Sequence, residues 1–80
     1  LYSTKKVKGT EKHHIFGGVA NRPKSEKYGL FIWLTLKQHD YLHAHPKEMI
    51  GIKKEAQKSF MKYYDKNVEE FIEIFGKSWL

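Results

Sequence analysis

Histidine is the residue type whose spacing in this chain best supports chemistry. His13 and His14 are adjacent, whereas His39 and His43 are four residues apart in a segment with helical periodicity. Neutral imidazole is the commonest metal ligand in proteins, and side chains four apart on a helix point the same way. If a strand adds a third imidazole, three histidines can hold one divalent ion with a position open for water or phosphate. The fourth histidine is then free to act as a base, which favours phosphodiester hydrolysis.

The two adjacent histidines are expected to have different roles. Neighbouring residues on a strand point to opposite faces, so in ideal geometry His13 and His14 cannot both bind one ion. One of them can bind the metal while the other reaches the attacking water from a different direction. An imidazole with a pKa of about 6.5 can take the proton of that water near neutral pH. One divalent ion can bind a non-bridging phosphate oxygen and the leaving group.

Length and charge limit the class of protein. Eighty residues make at most one domain with a modest core, and a hydrophobic content of 40% argues against global disorder. Fifteen Lys and Arg against nine Asp and Glu give a net charge of +6, which favours a polyanionic partner. We expect nucleic acid rather than an anionic membrane surface, because no long basic amphipathic stretch carries the charge.

Several classes of protein are disfavoured by what the sequence lacks. It has no cysteine, so neither a disulfide partner nor a thiolate zinc knuckle is expected. No apolar run reaches the roughly 20 residues of a membrane span, and the basic start is not followed by the apolar stretch of a secretory signal. We therefore expect no membrane partner. The chain begins at Leu1 and not at Met, as a fragment or a processed product would.

The pattern of apolar residues predicts an α+β domain in which two strands precede the helices. Residues 1–10 read as a basic arm with little periodicity. A short strand is predicted over 14–16, a polar loop over 18–28 and a second strand over 29–34. The two strands form an irregular hairpin joined by the long loop.

Three helices are predicted after the second strand. Residues 36–44 carry two histidines and two leucines at helical spacing. Pro46 suits the first turn of a long amphipathic helix, Asn67 is the predicted N-cap of a last helix, and Gly76 is its predicted end. The aromatic residues predicted for the core are Phe31, Trp33, Phe60, Tyr63 and Phe71.

Two segments of the chain resemble the HNH endonucleases encoded by bacteriophages and prophages. The first is HHIFGGVANR at residues 13–22, followed by KSEKYGL at 24–30, and the second is WLTLKQH at 33–39, which is similar to the strand-to-helix turn of that family. The resemblance runs from about Glu11 onward. It implies a small ββα-metal nuclease core over residues 11–45, an irregular two-stranded hairpin and a helix around one metal ion. Residues 46–80 are then a C-terminal helical extension that packs on this core.

The resemblance also implies roles for individual histidines. It makes His13 a metal ligand and His14 the general base. His39 is a second ligand, and a third follows one turn later. The short segment before Pro46 leaves His43 and His45 as alternatives for this third ligand, and the i, i+4 spacing favours His43.

The chain departs from the family pattern at two places. Thr35 and Gln38 stand where many relatives have zinc-knuckle cysteines, so the structural zinc of those relatives is not expected here. The middle asparagine of the family, which braces the loop that carries the base, has no counterpart just before the second strand. Asn21 is its nearest candidate.

The expected function is a metal-dependent DNA endonuclease, with RNA as the alternative substrate. Arg22 and Lys24 are predicted to contact phosphate. The cofactor is one divalent ion, for which Zn²⁺, Ni²⁺, Co²⁺, Mg²⁺ and Mn²⁺ remain candidates. The resemblance implies products with 5′-phosphate ends and a bacterial cytoplasmic setting. Two alternatives stay open, a non-catalytic nucleic-acid-binding module with a structural zinc and a histidine-bearing helical domain without metal.

Overall fold

Two antiparallel strands and four helices make up the computed structural model, which describes residues 5–80. In chain order the elements are β1 (Glu11–His14), α1 (Arg22–Tyr28), β2 (Phe31–Leu34), α2 (Leu36–Ala44), α3 (Pro46–Tyr63) and α4 (Val68–Phe75). The α+β class is thus confirmed. Residues 1–4 of the predicted basic arm lie outside the described residues.

The two strands pair in a single short ladder. His13 lies opposite Ile32 in this ladder. The first strand was predicted over 14–16, but it ends at His14. Ile15 and Phe16 instead turn into the core, where they are 1% and 2% exposed. Their backbone N–H groups stay paired, that of Ile15 with the carbonyl of Leu30 at 2.9 Å, while burial of the two apolar side chains stabilises the fold.

The connection between the strands contains a helix, so the loop predicted over 18–28 is wrong for its second half. Pro23 occupies the first turn of α1, and Gly29 ends it with a positive φ of 69°. Ser25, which is fully buried, connects this helix by hydrogen bonds to the residues that follow β1. Its Oγ accepts the N–H of Phe16 at 3.1 Å and donates to the carbonyl of Phe16 at 2.8 Å.

The helices that follow β2 are confirmed where local signals predicted them. Thr35 and Gln38 form a reciprocal capping box at the start of α2, which gives these two residues a structural role. Pro46 begins α3. Asn67 caps α4, and Gly76 ends it with a φ of 89°.

The core lies where α3 and α4 cover the sheet and the connection between its strands. Phe60 is at its centre, with ring centroids 5.6 Å from those of Phe71 and Phe75. The buried members of the cluster are Ile15, Phe16, Leu30, Ala56, Phe60, Phe71 and Phe75. None of the helices in residues 5–80 has the length and apolar character needed to cross a bilayer.

The aromatic core prediction is right for Phe31, Phe60 and Phe71, all of which are buried. It is wrong for Tyr63, which is 67% exposed. The neighbouring Tyr64 turns inward instead, because its hydroxyl donates to the carbonyl of Tyr28 at 3.2 Å.

Candidate metal centre and its neighbouring base

The strand β1 gives its two histidines different surroundings. Successive side chains of a strand point to opposite faces. His13 lies on the face towards α2, where its ring meets that of His39 edge to face with the centroids 5.5 Å apart. His14 lies on the other face, with its ring 6.3 Å from that of Phe31. His13 and His14 therefore lie on opposite faces of β1, as predicted.

The helix α2 brings His39 and His43 together. Their Nε2 atoms are 3.1 Å apart, and their ring centroids are 4.3 Å apart. At this distance one neutral ring donates its N–H to the other. Two imidazole nitrogens on one tetrahedral zinc ion lie about 3.3 Å apart, as follows from Zn–N bonds of about 2.0 to 2.1 Å. The spacing of this pair is thus close to that of two ligands on one ion.

His13 is the third imidazole of this cluster. Burial lowers its pKa below the ordinary value, and the nearby His39 and His43 lower it further. The neutral form, which can bind a metal, is therefore favoured. No group of three His, Asp or Glu side chains in the described part of the chain is placed to hold a metal ion as it stands. For the three rings to bind one ion, the ring of His13 would have to close on the His39–His43 pair, and a donor set of three imidazole nitrogens would suit Zn²⁺, Ni²⁺ or Co²⁺.

His45 lies away from this cluster. Its Nδ1 donates to the carbonyl of Tyr41 at 2.7 Å, and its ring stacks on the Tyr41 ring with the centroids 4.0 Å apart. It also forms the junction between α2 and α3. Of the two alternatives for the third ligand, His43 is the one whose nitrogen lies beside His39.

Glu26, on α1, is the hydrogen-bond partner of His14. Its Oε2 is 3.0 Å from Nε2 of His14, and its Oε1 is 2.8 Å from the ammonium of Lys12. The hydrogen bond from Lys12, followed by that from His14, holds the pKa of Glu26 below its ordinary value. An ionised carboxylate can only accept, so Nε2 of the neutral His14 ring carries the proton. Its Nδ1 keeps the lone pair and is the nitrogen that can take a proton.

Glu26 was not identified from the sequence, because its segment was predicted to be a loop. On a helix, Glu26 follows Arg22 by four residues and shares its face. Both residues line a shallow pocket of about 420 Å³ together with His14. Arg22, which was predicted to contact phosphate, is therefore on the same side of the molecule as the candidate base.

Lys24 and Asn21 face a different element. The ammonium of Lys24 donates to the carbonyl of Ile74, and the amide of Asn21 donates to the carbonyl of Phe75 at 3.0 Å. Both side chains thereby satisfy carbonyls at the end of α4, which have no partner within that helix. Asn21 ties the connection between the strands to α4 and does not contact His14. The phosphate contact predicted for Lys24 stays a prediction, because the ammonium has three donors and this hydrogen bond uses one of them.

A pocket of about 220 Å³ adjoins both histidines of β1. Its lining residues are His13, His14, Ile15, Gly17, Leu42, His43, Met49 and Lys53. Lys53 was not identified as a site residue from the sequence. It follows Met49 by one turn, and this spacing is the signal that could have identified it. Burial, followed by the charge of Lys77, lowers the pKa of Lys53.

Comparisons of the chain with protein-family models, with curated proteins and with solved structures found no match. A functional assignment therefore depends on the motif residues and on their surroundings in the fold.

Proposed function

We propose that the chain is a metal-dependent endonuclease of the HNH type, with a ββα-metal core, that hydrolyses DNA phosphodiester bonds. One observation carries the proposal, namely that adjacent residues of β1 enter two different environments. His13 lies beside the imidazole pair of α2, and His14 lies beside the carboxylate of Glu26. A hydrolase of this kind needs one imidazole as a metal ligand and a separate imidazole as a base, close to each other.

His13, His39 and His43 are the proposed ligands of one divalent ion. Such an ion, when bound, neutralises charge on a phosphate oxygen and on the leaving group. The three imidazoles come from β1 and from a single face of α2, which packs against α3 and against β2, the partner strand of β1. Zn²⁺, Ni²⁺ and Co²⁺ are favoured by affinity for nitrogen, and Mg²⁺ or Mn²⁺ by abundance in cells.

His14 is the proposed general base. With Nε2 held by Glu26, Nδ1 is free to take a proton from the attacking water. The carboxylate then faces the imidazolium that forms and stabilises its charge. Lys12 keeps this carboxylate ionised.

Two cations lie close to these groups and are suited to an anionic substrate. Arg22 shares the shallow pocket with His14, and Lys53 enters the deeper pocket beside His13 and His43. Guanidinium and ammonium groups are among the usual donors to phosphate in protein–DNA interfaces. Together with the net charge of +6, they support a nucleic acid as the substrate.

The decisive experiment is cleavage of supercoiled plasmid by metal-stripped protein, with Mg²⁺, Mn²⁺, Ni²⁺ and Zn²⁺ added in turn. His14→Ala should lose roughly 10²- to 10⁴-fold in rate, the usual contribution of a general base, while it still binds metal and DNA. His45→Ala is the matched control, because it removes an imidazole outside the cluster and should cleave at the wild-type rate. Unchanged cleavage by His14→Ala would remove this residue from the mechanism.

A non-catalytic nucleic-acid-binding module with a structural zinc is the second candidate. The close spacing of His39 and His43 also suits a structural ion. Structural zinc sites, however, have four protein ligands, and this cluster offers three imidazoles in a chain without cysteine. The plasmid assay separates the two candidates, because a binding module should bind the DNA without cleaving it in the presence of any of the four metals, whereas a nuclease should cleave it.

A further inference from the structure

Lys53 and Lys77 lie against the same indole ring beside the histidine pocket. Their ammonium nitrogens are 4.4 Å and 4.2 Å from the centroid of the Trp79 ring. Among residues 5–80 neither ammonium forms an ion pair with a carboxylate. The negative face of an indole attracts cations, but it does not neutralise them. Two positive charges are thus held near each other without an anion.

These lysines border a second pocket that adjoins the first. It has a volume of about 360 Å³, and its lining includes Gly17, Lys53, Lys77 and Trp79. Gly17 and Lys53 line both pockets. At Gly17 the space where a side chain would project holds no atom within 4 Å. The space over this backbone, which borders both pockets, is therefore open.

A buried amide holds the C-terminal segment in this position. Gln57 is fully buried on α3, its Oε1 accepts the backbone N–H of Trp79 at 2.7 Å, and its Nε2 donates to Oγ of Ser78 at 2.9 Å. Burial of an amide is favourable only when such bonds are made. The residues that follow α4 are therefore tied to α3, and Lys77 and Trp79 are brought to Lys53.

We propose that Lys53 and Lys77 form a subsite for a backbone phosphate of the nucleic acid, next to the phosphate that is cleaved at the histidines. An anion between two unpaired ammonium groups relieves their mutual repulsion and releases the counterions of the nucleic acid. The relation to the cleaved phosphate rests on the proposed function. Binding at the subsite requires neither metal nor cleavage.

The test measures binding of a fluorescein-labelled DNA duplex to the full chain in the presence of EDTA, over a range of salt concentrations. Lys53→Gln and Lys77→Gln should each weaken binding and reduce the slope of log K against log salt by about 0.9, the value for one phosphate contact on B-DNA. Lys62→Gln is the matched control, because it removes the same charge from an exposed position two and a half turns along α3. Its slope should equal that of the wild type.

The variants also separate the subsite from the catalytic proposal. If Lys53→Gln and Lys77→Gln keep the wild-type slope, the subsite is refuted even if the protein cleaves DNA. If their slopes fall and no metal supports cleavage, the subsite stands and the proposed function fails. Lys53→Arg keeps the charge and should keep the slope, and a far-UV circular dichroism spectrum of Lys53→Gln equal to that of the wild type excludes misfolding as the cause of the effect. An RNA duplex should show the same loss of slope as DNA, because the subsite contacts backbone phosphate. If the variants weakened only the binding of inorganic phosphate and left the slope for both duplexes unchanged, the subsite for nucleic acid would be refuted.

Discussion

Nε2 of His14 lies 3.0 Å from Oε2 of Glu26, and this contact joins β1 to α1 across 12 positions of the sequence. It determines which nitrogen of the ring carries the proton. It also makes the orientation of the candidate base depend on a helix that no periodic apolar pattern indicates.

Glu26→Ala should slow metal-dependent cleavage roughly tenfold or more, in the range found when an imidazole loses its orienting partner. Glu26→Gln keeps a side-chain oxygen that can accept from Nε2, so it should retain more of the activity. Nitrogen-15 NMR of His14 gives a readout that is independent of cleavage. The ring should be the Nε2–H tautomer in the wild type and a mixture of tautomers in Glu26→Ala. A wild-type tautomer and rate in that variant would exclude Glu26 as a positioning residue.

The carboxyl of Glu26 should titrate below the ordinary pKa of 4.5. Because its pKa in the folded state is lowered, its contribution to stability is present above the pKa of the unfolded chain and is lost as the pH falls through the folded value. Carbon-13 NMR of the carboxyl group measures this midpoint directly. Lys12→Gln removes the largest cause of the shift and should move the midpoint back towards 4.5. An unchanged midpoint in this variant would show that Lys12 is not the cause.

His39→Ala and His43→Ala should each weaken binding of Zn²⁺ or Ni²⁺. Loss of a hydrogen-bond partner of a metal ligand reduces affinity about 10- to 100-fold, and loss of the ligand itself should reduce it further. Isothermal titration calorimetry of metal-stripped protein measures the effect. His45→Ala should bind as the wild type does, because its ring is engaged with Tyr41. A larger loss for His45→Ala than for His43→Ala would reverse the assignment of the third ligand.

Phe60→Ala should lower the free energy of unfolding by about 3–5 kcal/mol, the range for removal of a buried aromatic ring. Phe60 has no exposed surface, and its ring meets four other aromatic rings. Chemical denaturation followed by circular dichroism gives the value. Tyr63→Ala, on the same helix but 67% exposed, should stay within about 0.5 kcal/mol of the wild type. Equal effects of the two changes would contradict the position of the core.

Gln57→Leu should release the C-terminal segment from α3. The backbone N–H of Trp79 would lose its acceptor, and loss of a hydrogen bond of this kind costs about 0.5–1.5 kcal/mol. Limited proteolysis should then cut after Lys77 faster than in the wild type. The salt dependence of DNA binding should fall as it does in Lys77→Gln, since the indole no longer holds that lysine beside Lys53. Unchanged proteolysis and DNA binding would show that the buried amide does not position the segment.

The sequence by itself determined the elements whose signals are local. The bounds of α2 follow from the periodicity of residues 36–44, and the ends of α4 follow from Asn67 and Gly76. The proximity of His39 and His43 needs only one helical turn. Such features depend on residues within a few positions of each other, so a single sequence contains them.

The tertiary structure alone decided the features that join distant segments. The short helix α1 depends on the hydrogen bonds of Ser25 to Phe16. The end of β1 at His14, two residues before the predicted end, depends on the burial of Ile15 in a core built by α3 and α4. The contact of Glu26 with His14 and the approach of Lys53 to the histidine pocket arise from the same packing. These contacts are stabilised by interactions between groups that are distant in sequence and meet only when the chain folds. A local sequence pattern therefore does not predict them.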